Sequence, residues 1–369
     1  MAQENSQTRT TYEYFHEIPV YIDSLQASLR YPMEWGDDPE RDFPRWKEKA
    51  RAQVFACMQQ SAPPSEDYDM RVLAEEQREG YVVRKISIAL SRWYRVTAYL
   101  LVPDGGGSHP TVNLLHDHGA HFFIGKEKMI RPIAAVEDTA VVNDAQQWVE
   151  TLYGGQFLGD YLARNGYVVL SADAPLWGER GRKEGVNRAK YDVIAGNMMM
   201  LGRNLCGMTH YDDIATTDFL ATLAEVDSTR IAAVGLSMGA YRAWMLAALS
   251  DRVKVGCSVC WMMTTEAQLT MKYGRKENGG FANCLPGIRN YLDYPGIASL
   301  ACPKPMLFIS GMRDKLFPIP GVEDAFAKMR RVWTSQQASD RLDTRILDQA
   351  HECNLSNQEA ILRFLQTWL

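Results

Sequence analysis

The sequence predicts an α/β protein with a doubly wound, mostly parallel sheet of eight strands and a helical extension before it. Two observations carry this prediction. From residue 111 onward, short apolar runs alternate with segments long enough for helices, which is the rhythm of βαβ units. Most of these runs are apolar at nearly every position, as is typical of strands that are buried on both faces of a parallel sheet.

Residues 1–80 are predicted to form a helical extension that packs on the main domain, residues 81–369. Within the extension, the segment 37–60 opens with acidic residues and prolines, which are typical of a helix start. It then places apolar side chains at helical spacing. These side chains are Trp46, Ala50, Val54, Phe55 and Met58. The segment is therefore predicted to be an amphipathic helix.

The first two strands are predicted at 81–88 and 96–102, where β-branched and aromatic residues flank a turn at Ser91-Arg92. The remaining strands are predicted at 111–115, 167–171, 231–234, 253–260, 306–310 and 344–347. Helices in the intervening segments would cover both faces of the sheet. The longest irregular stretch, 126–144, is expected to carry a lid or an extra helix.

Composition and charge exclude several classes of function. The chain has 369 residues, of which 46% are hydrophobic and 23% charged, as in an ordinary globular protein. A formal net charge of −5, without a long run of Lys or Arg, argues against a nucleic-acid partner. The sequence contains no stretch of 18 uninterrupted apolar residues, so no membrane span is predicted. Its polar start lacks the apolar stretch of a signal peptide. We therefore predict a cytoplasmic protein whose seven cysteines are free thiols.

The strongest motif is Gly235-Leu236-Ser237-Met238-Gly239, between the strand at 231–234 and a helical run at 240–250. A sharp turn in this context lifts a serine clear of the sheet, and the flanking glycines avoid side-chain clashes. The N-terminus of the next helix directs the backbone N–H of Met238 toward a developing oxyanion. Ser237 is therefore the predicted nucleophile. The alternative is a glycine-rich turn between a strand and a helix that has no catalytic role.

A serine nucleophile needs a base within hydrogen-bond reach and a carboxylate that orients the base. Asp314 follows the penultimate predicted strand, and His351 is the one histidine that follows the last. Ser237, Asp314 and His351 thus stand in the chain order of a strand–turn–helix serine triad. Asp314 is the predicted acid, with Asp324 and Asp348 as alternative acids. The alternative role for Asp314 is to cap the next helix.

The loop after the strand at 111–115 is rich in histidine. It reads His116-Asp117-His118-Gly119-Ala120-His121. The pattern resembles an HxHxDH zinc motif, but Ala120 stands where that motif has Asp, and too few His and Asp residues remain for a second half-site. We therefore predict no metal.

The same loop fits an oxyanion loop better, because a His-Gly pair lets the backbone turn its N–H groups toward a substrate oxygen. The backbone N–H of Ala120 is the predicted second donor, besides that of Met238. Four side chains are candidates for lining the substrate pocket, with packing in the loop or the core as the alternative. These are His118, His121, Trp177 and Trp261.

Five segments carry a resemblance to a known family. They are LLHDHGAHFFIGKEKM from Leu114, DAPLWGERG from Asp173, EVDSTRIAAVGLSMGAYRAWMLAAL from Glu225, LPGIRNYLDYPGIASL from Leu285 and PMLFISGMRDKLFP from Pro305. From about Trp46 to the C-terminus, the chain resembles the acetyl xylan esterase-like branch of the dienelactone hydrolase group, within the α/β-hydrolase superfamily.

The resemblance implies the α/β-hydrolase fold, the triad Ser237, Asp314 and His351, oxyanion donors near Met238 and Ala120, and no cofactor. The chain departs from the pattern in two ways. It shows no export signal, which makes a polysaccharide substrate less expected. It also has Ser237 where dienelactone hydrolases have a cysteine.

We therefore expect hydrolysis of a carboxylic ester of a small soluble molecule through an acyl-enzyme. The alternatives are an amide or peptide hydrolase, a C–C bond hydrolase and a protein that only binds a ligand. Peptidases of this fold usually carry a large β-propeller, for which residues 1–80 are too few. Symmetric dimers are common among soluble proteins, so a homodimer is the expected assembly.

Overall fold

The computed structural model describes residues 17–36, 42–59, 62–270 and 279–369. Its strands are β1 (Arg71–Arg78), β2 (Tyr81–Ser91), β3 (Tyr94–Pro103), β4 (His109–Leu115), β5 (Val168–Ala172), β6 (Val226–Leu236), β7 (Val253–Val259), β8 (Met306–Gly311) and β9 (Leu342–Leu347). They form one sheet of nine strands in the order β1-β2-β3-β5-β4-β6-β7-β8-β9.

Apolar clusters join helices to both faces of this sheet, and the described residues form eleven helices. They are α1 (Glu17–Ser28), α2 (Phe43–Met58), α3 (Thr139–Leu152), α4 (Leu158–Arg164), α5 (Arg188–Met200), α6 (Leu205–Leu220), α7 (Met238–Leu249), α8 (Thr265–Gln268), α9 (Tyr294–Ala298), α10 (Ile319–Ser335) and α11 (Leu355–Trp368). Short 3₁₀ turns lie at Lys126–Lys128, Gly178–Arg180, Gly280–Asn283, Ile288–Asn290, Ser299–Ala301 and Ser339–Arg341. Across the described ranges, no helix has both the length and the hydropathy that crossing a bilayer requires.

The strand directions confirm the predicted doubly wound architecture. The first three strands run antiparallel to their neighbours, and β3 also pairs antiparallel with β5. From β5 through β4 and β6 to β9, all pairs are parallel. Because β4 and β6 are neighbours, with Leu115 paired to Gly235, their carboxyl ends meet at one edge of the sheet. Ligand sites of open α/β sheets lie at this edge.

In the described part of the chain, the sheet has nine strands rather than the predicted eight. The additional strand, β1, lies in the stretch that was predicted to be helical, so the sheet begins at Arg71 and not at residue 81. Most of its side chains are exposed, and it lies at the edge of the sheet, where one neighbour suffices. Its sequence therefore lacks the apolar alternation that a half-buried strand would show.

The predicted amphipathic helix before the sheet is present as α2, which buries four of the five predicted apolar side chains and leaves Phe55 half-buried. The predicted residues 37–41 and 60 lie outside the described ranges. Asp42 caps the helix by accepting a hydrogen bond from the backbone N–H of Arg45 at 3.3 Å. Lys47 and Arg51 tie the helix to the rest of the protein. Lys47 Nζ donates to the carbonyl of Cys302 at 2.9 Å, and Arg51 Nε donates to that of Ala248 at 2.9 Å.

The irregular stretch 126–144 holds both a 3₁₀ turn and the start of an additional helix, α3. The charged residues of the turn, Lys126, Glu127 and Lys128, are completely buried. Burying a charge is unfavourable unless the group is paired or hydrogen-bonded. This turn is therefore an interior element of the fold.

Candidate active site

The motif around Ser237 forms a tight turn between β6 and α7. Ser237 has φ 56° and ψ −122°, a conformation that is costly for a residue with a side chain. A Cβ atom on Gly235 would lie 2.3 Å from the backbone of Gly239, and one on Gly239 would lie 1.8 Å from the carbonyl oxygen of Leu115. Both glycines are thus required by the close approach of β4 and α7 to the turn.

The base and acid candidates follow neighbouring strands and contact each other. His351 Nδ1 lies 2.7 Å from Oδ2 of Asp314. The Asp314 side chain is 1% exposed, and its Oδ1 accepts a hydrogen bond from the backbone N–H of Leu316 at 2.9 Å. An imidazole whose Nδ1–H is bound to a carboxylate keeps Nε2 as an acceptor, which is the form that a general base needs.

The two alternative carboxylates have other partners. Asp348 pairs with Arg313 at 3.0 Å and is 79% exposed, and Asp324 pairs with Lys328 at 3.1 Å. Among the three candidate acids, Asp314 is therefore the one whose carboxylate contacts His351.

Six of the predicted site residues line one cavity of about 250 Å³ at the carboxyl edge of the sheet. They are Ser237, Met238, His351, Ala120, His118 and Trp261. Ser237 and Met238 follow β6, and Ala120 and His118 follow β4. Trp261 follows β7, and His351 follows β9. Chain segments that are distant in sequence thus meet at the predicted site.

Two predicted pocket residues lie outside this lining. His121 Nε2 contacts Asp144 Oδ2 at 2.5 Å, and the imidazole stacks on Trp148 with centroids 4.8 Å apart. Trp177 is 1% exposed, and its Nε1 donates to the carbonyl of His118 at 3.2 Å. Both side chains hold the loop that follows β4 and do not face the cavity.

Several lining residues were not predicted. They include Leu152, Arg188, Leu316 and Phe317. Leu316 and Phe317 follow the predicted acid at two and three residues, so apolar residues close to Asp314 were a usable signal. Arg188 begins α5, and its local sequence gave no sign that it reaches the cavity.

The two predicted oxyanion donors differ in their surroundings. Met238 is the first residue of α7, and the N–H groups in the first turn of a helix have no partner within the helix. Ala120 has a positive φ of 51°, and its N–H donates to Nδ1 of His118 at 2.8 Å. The predicted donor of the loop is thus already bound to the loop's own histidine.

Two histidines of the loop, His116 and His118, contact the protein backbone. His116 Nε2 accepts from the N–H of Ala174 at 3.0 Å, and its Nδ1 lies 2.9 Å from the carbonyl of Asp117. Burial lowers the pKa of His116 and of His118 well below the usual value, and nearby cations act in the same direction. Both rings are therefore neutral, and their contacts support a role in shaping the loop.

Within the described ranges, one group of side chains has the spacing of metal ligands: Cys260, Asp314 and His351, whose ligand atoms lie within 4.8 Å of one another. Burial raises the pKa of the Cys260 thiol to about 12. Because metals bind the thiolate, this group is poorly suited to hold one. The same carboxylate and imidazole form the candidate acid–base pair.

The sheet order, the strained serine at the turn after β6 and the Asp314–His351 pair define an α/β-hydrolase fold. This agrees with the resemblance found in the sequence. The chain belongs to the Abhydrolase family, whose sequence model matches residues 21–330.

Comparisons with individual proteins agree with this classification. The chain is 27% identical over 321 residues to "Putative hydrolase YtaP" of Bacillus subtilis (strain 168), covering 86% of this chain and 98% of that protein. A solved structure described as a putative acetyl xylan esterase from Bacteroides fragilis NCTC 9343 is similar with a TM-score of 0.69 and 16% identity, over 88% of this chain and 81% of that one. A promiscuous CE15 esterase from the marine bacterial metagenome matches with a TM-score of 0.65 and 12% identity, over 93% and 100%.

Proposed function

We propose that the protein is a serine hydrolase that cleaves a carboxylic ester of a small molecule through an acyl-enzyme. One observation carries the proposal: Ser237, on its strained turn, and His351, bound to Asp314, line the same cavity. Nucleophile, base and orienting carboxylate in this arrangement are the requirements for acyl transfer.

In the proposed reaction, Ser237 Oγ attacks the ester carbonyl while His351 Nε2 takes its proton. Asp314 holds the imidazole and stabilises the imidazolium that forms. The backbone N–H of Met238, at the positive end of α7, donates to the oxyanion of the tetrahedral intermediate. His351 then gives the proton to the leaving alcohol, and water hydrolyses the acyl-enzyme by the same steps.

The size and lining of the cavity favour a small substrate. Its volume of about 250 Å³ lies below the range of roughly 300–1,000 Å³ that is usual for drug-sized ligands. Much of its wall is apolar, formed in part by Met238, Trp261 and Phe317. An ester is favoured over other acyl compounds because solved proteins of the same fold are named as esterases.

The test is labelling with a fluorophosphonate probe, followed by mass spectrometry of the modified peptide. We expect an adduct on Ser237 in the wild type and none in Ser237→Ala. Ser250→Ala is the matched control, because Ser250 follows the other end of α7 and should leave the labelling unchanged. A wild type without an adduct on Ser237 would contradict the proposal.

A panel of substrates then tests the type of bond. We expect turnover of short-chain p-nitrophenyl esters, with loss of several orders of magnitude in Ser237→Ala. Turnover of aminoacyl amides or β-diketones in place of esters would keep the nucleophile but assign a different reaction.

A further inference from the structure

A buried lysine lies beneath the loop His116–His121. Lys128 is completely buried, and its Nζ donates to the carbonyl oxygens of Asp117 at 3.0 Å and of His118 at 3.1 Å. The same Nζ lies 3.4 Å from Oδ1 of Asp117. One amino group therefore holds two consecutive peptide carbonyls.

Because Lys128 fixes the direction of these two carbonyls, it also fixes the direction of the N–H groups in the same peptides. In a planar trans peptide, the C=O and the N–H point in opposite directions. The carbonyl of Asp117 shares a peptide with the N–H of His118, and the carbonyl of His118 shares one with the N–H of Gly119. Asp117, His118 and Gly119 line the cavity whereas Lys128 does not. The two N–H groups thus point away from Lys128.

The second of these peptides is held by further donors. The carbonyl of His118 also accepts from Trp177 Nε1 at 3.2 Å and from the N–H of His121 at 3.2 Å. Donors on a carbonyl polarise its peptide, so the N–H on the other side becomes a stronger donor. Trp177, which was predicted to line the pocket, thereby contacts the site through the backbone of the loop.

Lys128 also has the contacts that a buried amine requires. Burial lowers its pKa, and the carboxylate of Asp117 opposes that effect. The carboxylate is in turn held by Trp148 Nε1 at 3.1 Å and by the Tyr153 hydroxyl at 2.9 Å. The lysine, the carboxylate and the two aromatic donors form one connected polar network under the loop.

We propose that Lys128 is a positioning residue that aims the N–H groups of His118 and Gly119 at the substrate oxygen. These groups, together with the Met238 N–H, form the oxyanion hole, and the Ala120 N–H does not belong to it. This inference rests on the proposed function. The sequence predicted the N–H of Ala120 as the second donor. The inference assigns this role to the N–H groups of His118 and Gly119, whose peptides are held by Lys128.

The first test is a crystal structure of the enzyme with a methylphosphonate bound to Ser237. We expect the phosphoryl oxygen within about 3.1 Å of the Met238 nitrogen and of the nitrogen of His118 or Gly119. A phosphoryl oxygen bound by the Ala120 nitrogen instead would overturn the inference. If Ser237 did not react at all, the proposed function would be overturned, and this inference with it. Binding by the Ala120 nitrogen would overturn the inference alone, so the two results can be told apart.

The second test separates positioning from stability. In Lys128→Met, we expect kcat to fall by about ten- to a hundredfold with an unchanged KM, since one oxyanion donor is worth about 10²–10³ in rate. The affinity for a trifluoromethyl ketone should fall by the same factor, because that ligand mimics the tetrahedral intermediate.

Trp177→Phe keeps the inference testable if Lys128→Met does not fold, because it removes a single donor from the His118 carbonyl. Its expected effect has the same direction and a smaller size. Trp244→Phe is the control, since Trp244 is also buried but its Nε1 has no hydrogen-bond partner in the described part of the chain. Variants of Lys128 and Trp177 that lose stability yet keep wild-type kcat and ketone affinity would overturn the positioning role.

Discussion

The imidazole of His351 stacks on the ring of Phe317 in a displaced, nearly parallel arrangement, with centroids 5.8 Å apart and planes 7° from parallel. Asp314 contacts the same imidazole at its edge, through Nδ1. The carboxylate therefore limits rotation within the ring plane, and the phenyl ring limits tilting out of it. Phe317 is itself fixed by Trp261, at a centroid distance of 5.6 Å.

Replacing Phe317 should therefore misplace the base without removing it. In Phe317→Leu, we expect kcat to fall by about tenfold with little change in KM, because small misplacements of reacting groups are costly. Steady-state kinetics on a short-chain ester measure the effect. Phe326→Leu is the control, since Phe326 is buried in α10 and packs on Phe308. Equal losses of kcat in the two variants would contradict a specific role of the stacking.

The acid can be tested by comparing two aspartates that both precede His351 in the sequence. Asp314→Asn should lower kcat by about 10⁴-fold, because an amide at this position favours the wrong tautomer of the base. Asp348→Asn removes an exposed carboxylate that pairs with Arg313, and kcat should stay near the wild-type value. The assignment would be wrong if the two variants exchanged these effects.

Two glycines should respond oppositely to alanine. Gly239→Ala places a Cβ 1.8 Å from the Leu115 carbonyl oxygen, so we expect destabilisation by about 3 kcal/mol or more. Gly196 lies inside α5 with no atom within 4 Å of an added Cβ, and Gly196→Ala should stabilise by about 0.5–1 kcal/mol. Urea unfolding measures both changes. A tolerated alanine at position 239 would contradict the close approach described for the turn.

Acid should destabilise the protein partly through His210. Burial lowers the pKa of this histidine to about 3, and Arg242 acts in the same direction. In the unfolded chain, a histidine titrates near 6.5, so below that pH the unfolded state binds a proton that the folded state does not. The free energy of unfolding therefore falls as the pH decreases from about 6.5 toward 3.

The variant His210→Leu isolates this contribution, because His116 and His118 remain in both proteins. Between pH 7.5 and 5.5, we expect the wild type to lose about 1 kcal/mol more stability than the variant. Urea titrations at the two pH values give the difference. Equal losses in the two proteins would show that His210 does not titrate differently on folding.

The elements that the sequence predicted well are those that local rules specify. The turn around Ser237 could be recognised because its glycines are needed by contacts that every such turn makes, and the buried strands because their apolar runs are continuous. Strand β1 was missed because pairing with β2, and not its own side chains, makes it a strand. The predicted cytoplasmic location and homodimer stay predictions.

The parts of the site that were missed depend on contacts between distant residues. No local pattern shows that His121 pairs with Asp144, or that Trp177 points at the carbonyl of His118. Lys128 did leave a signal, because the charged triplet Lys126–Lys128 is flanked by apolar residues on both sides. A charged group within an apolar run is a candidate for a buried polar network.

The cavity wall combines two kinds of chain segment. Ser237 and Met238 follow β6 and His351 follows β9, and the parallel pairing of β6, β7, β8 and β9 sets the spacing of these two turns. Arg188 and Ala282 come from the excursions between β5 and β6 and between β7 and β8. Under the proposed mechanism, insertions or exchanges in these two connections would change the cavity wall and leave the proposed nucleophile and base in place. The two connections can therefore be varied by evolution or by protein engineering, whereas the turns beyond the strands must be kept.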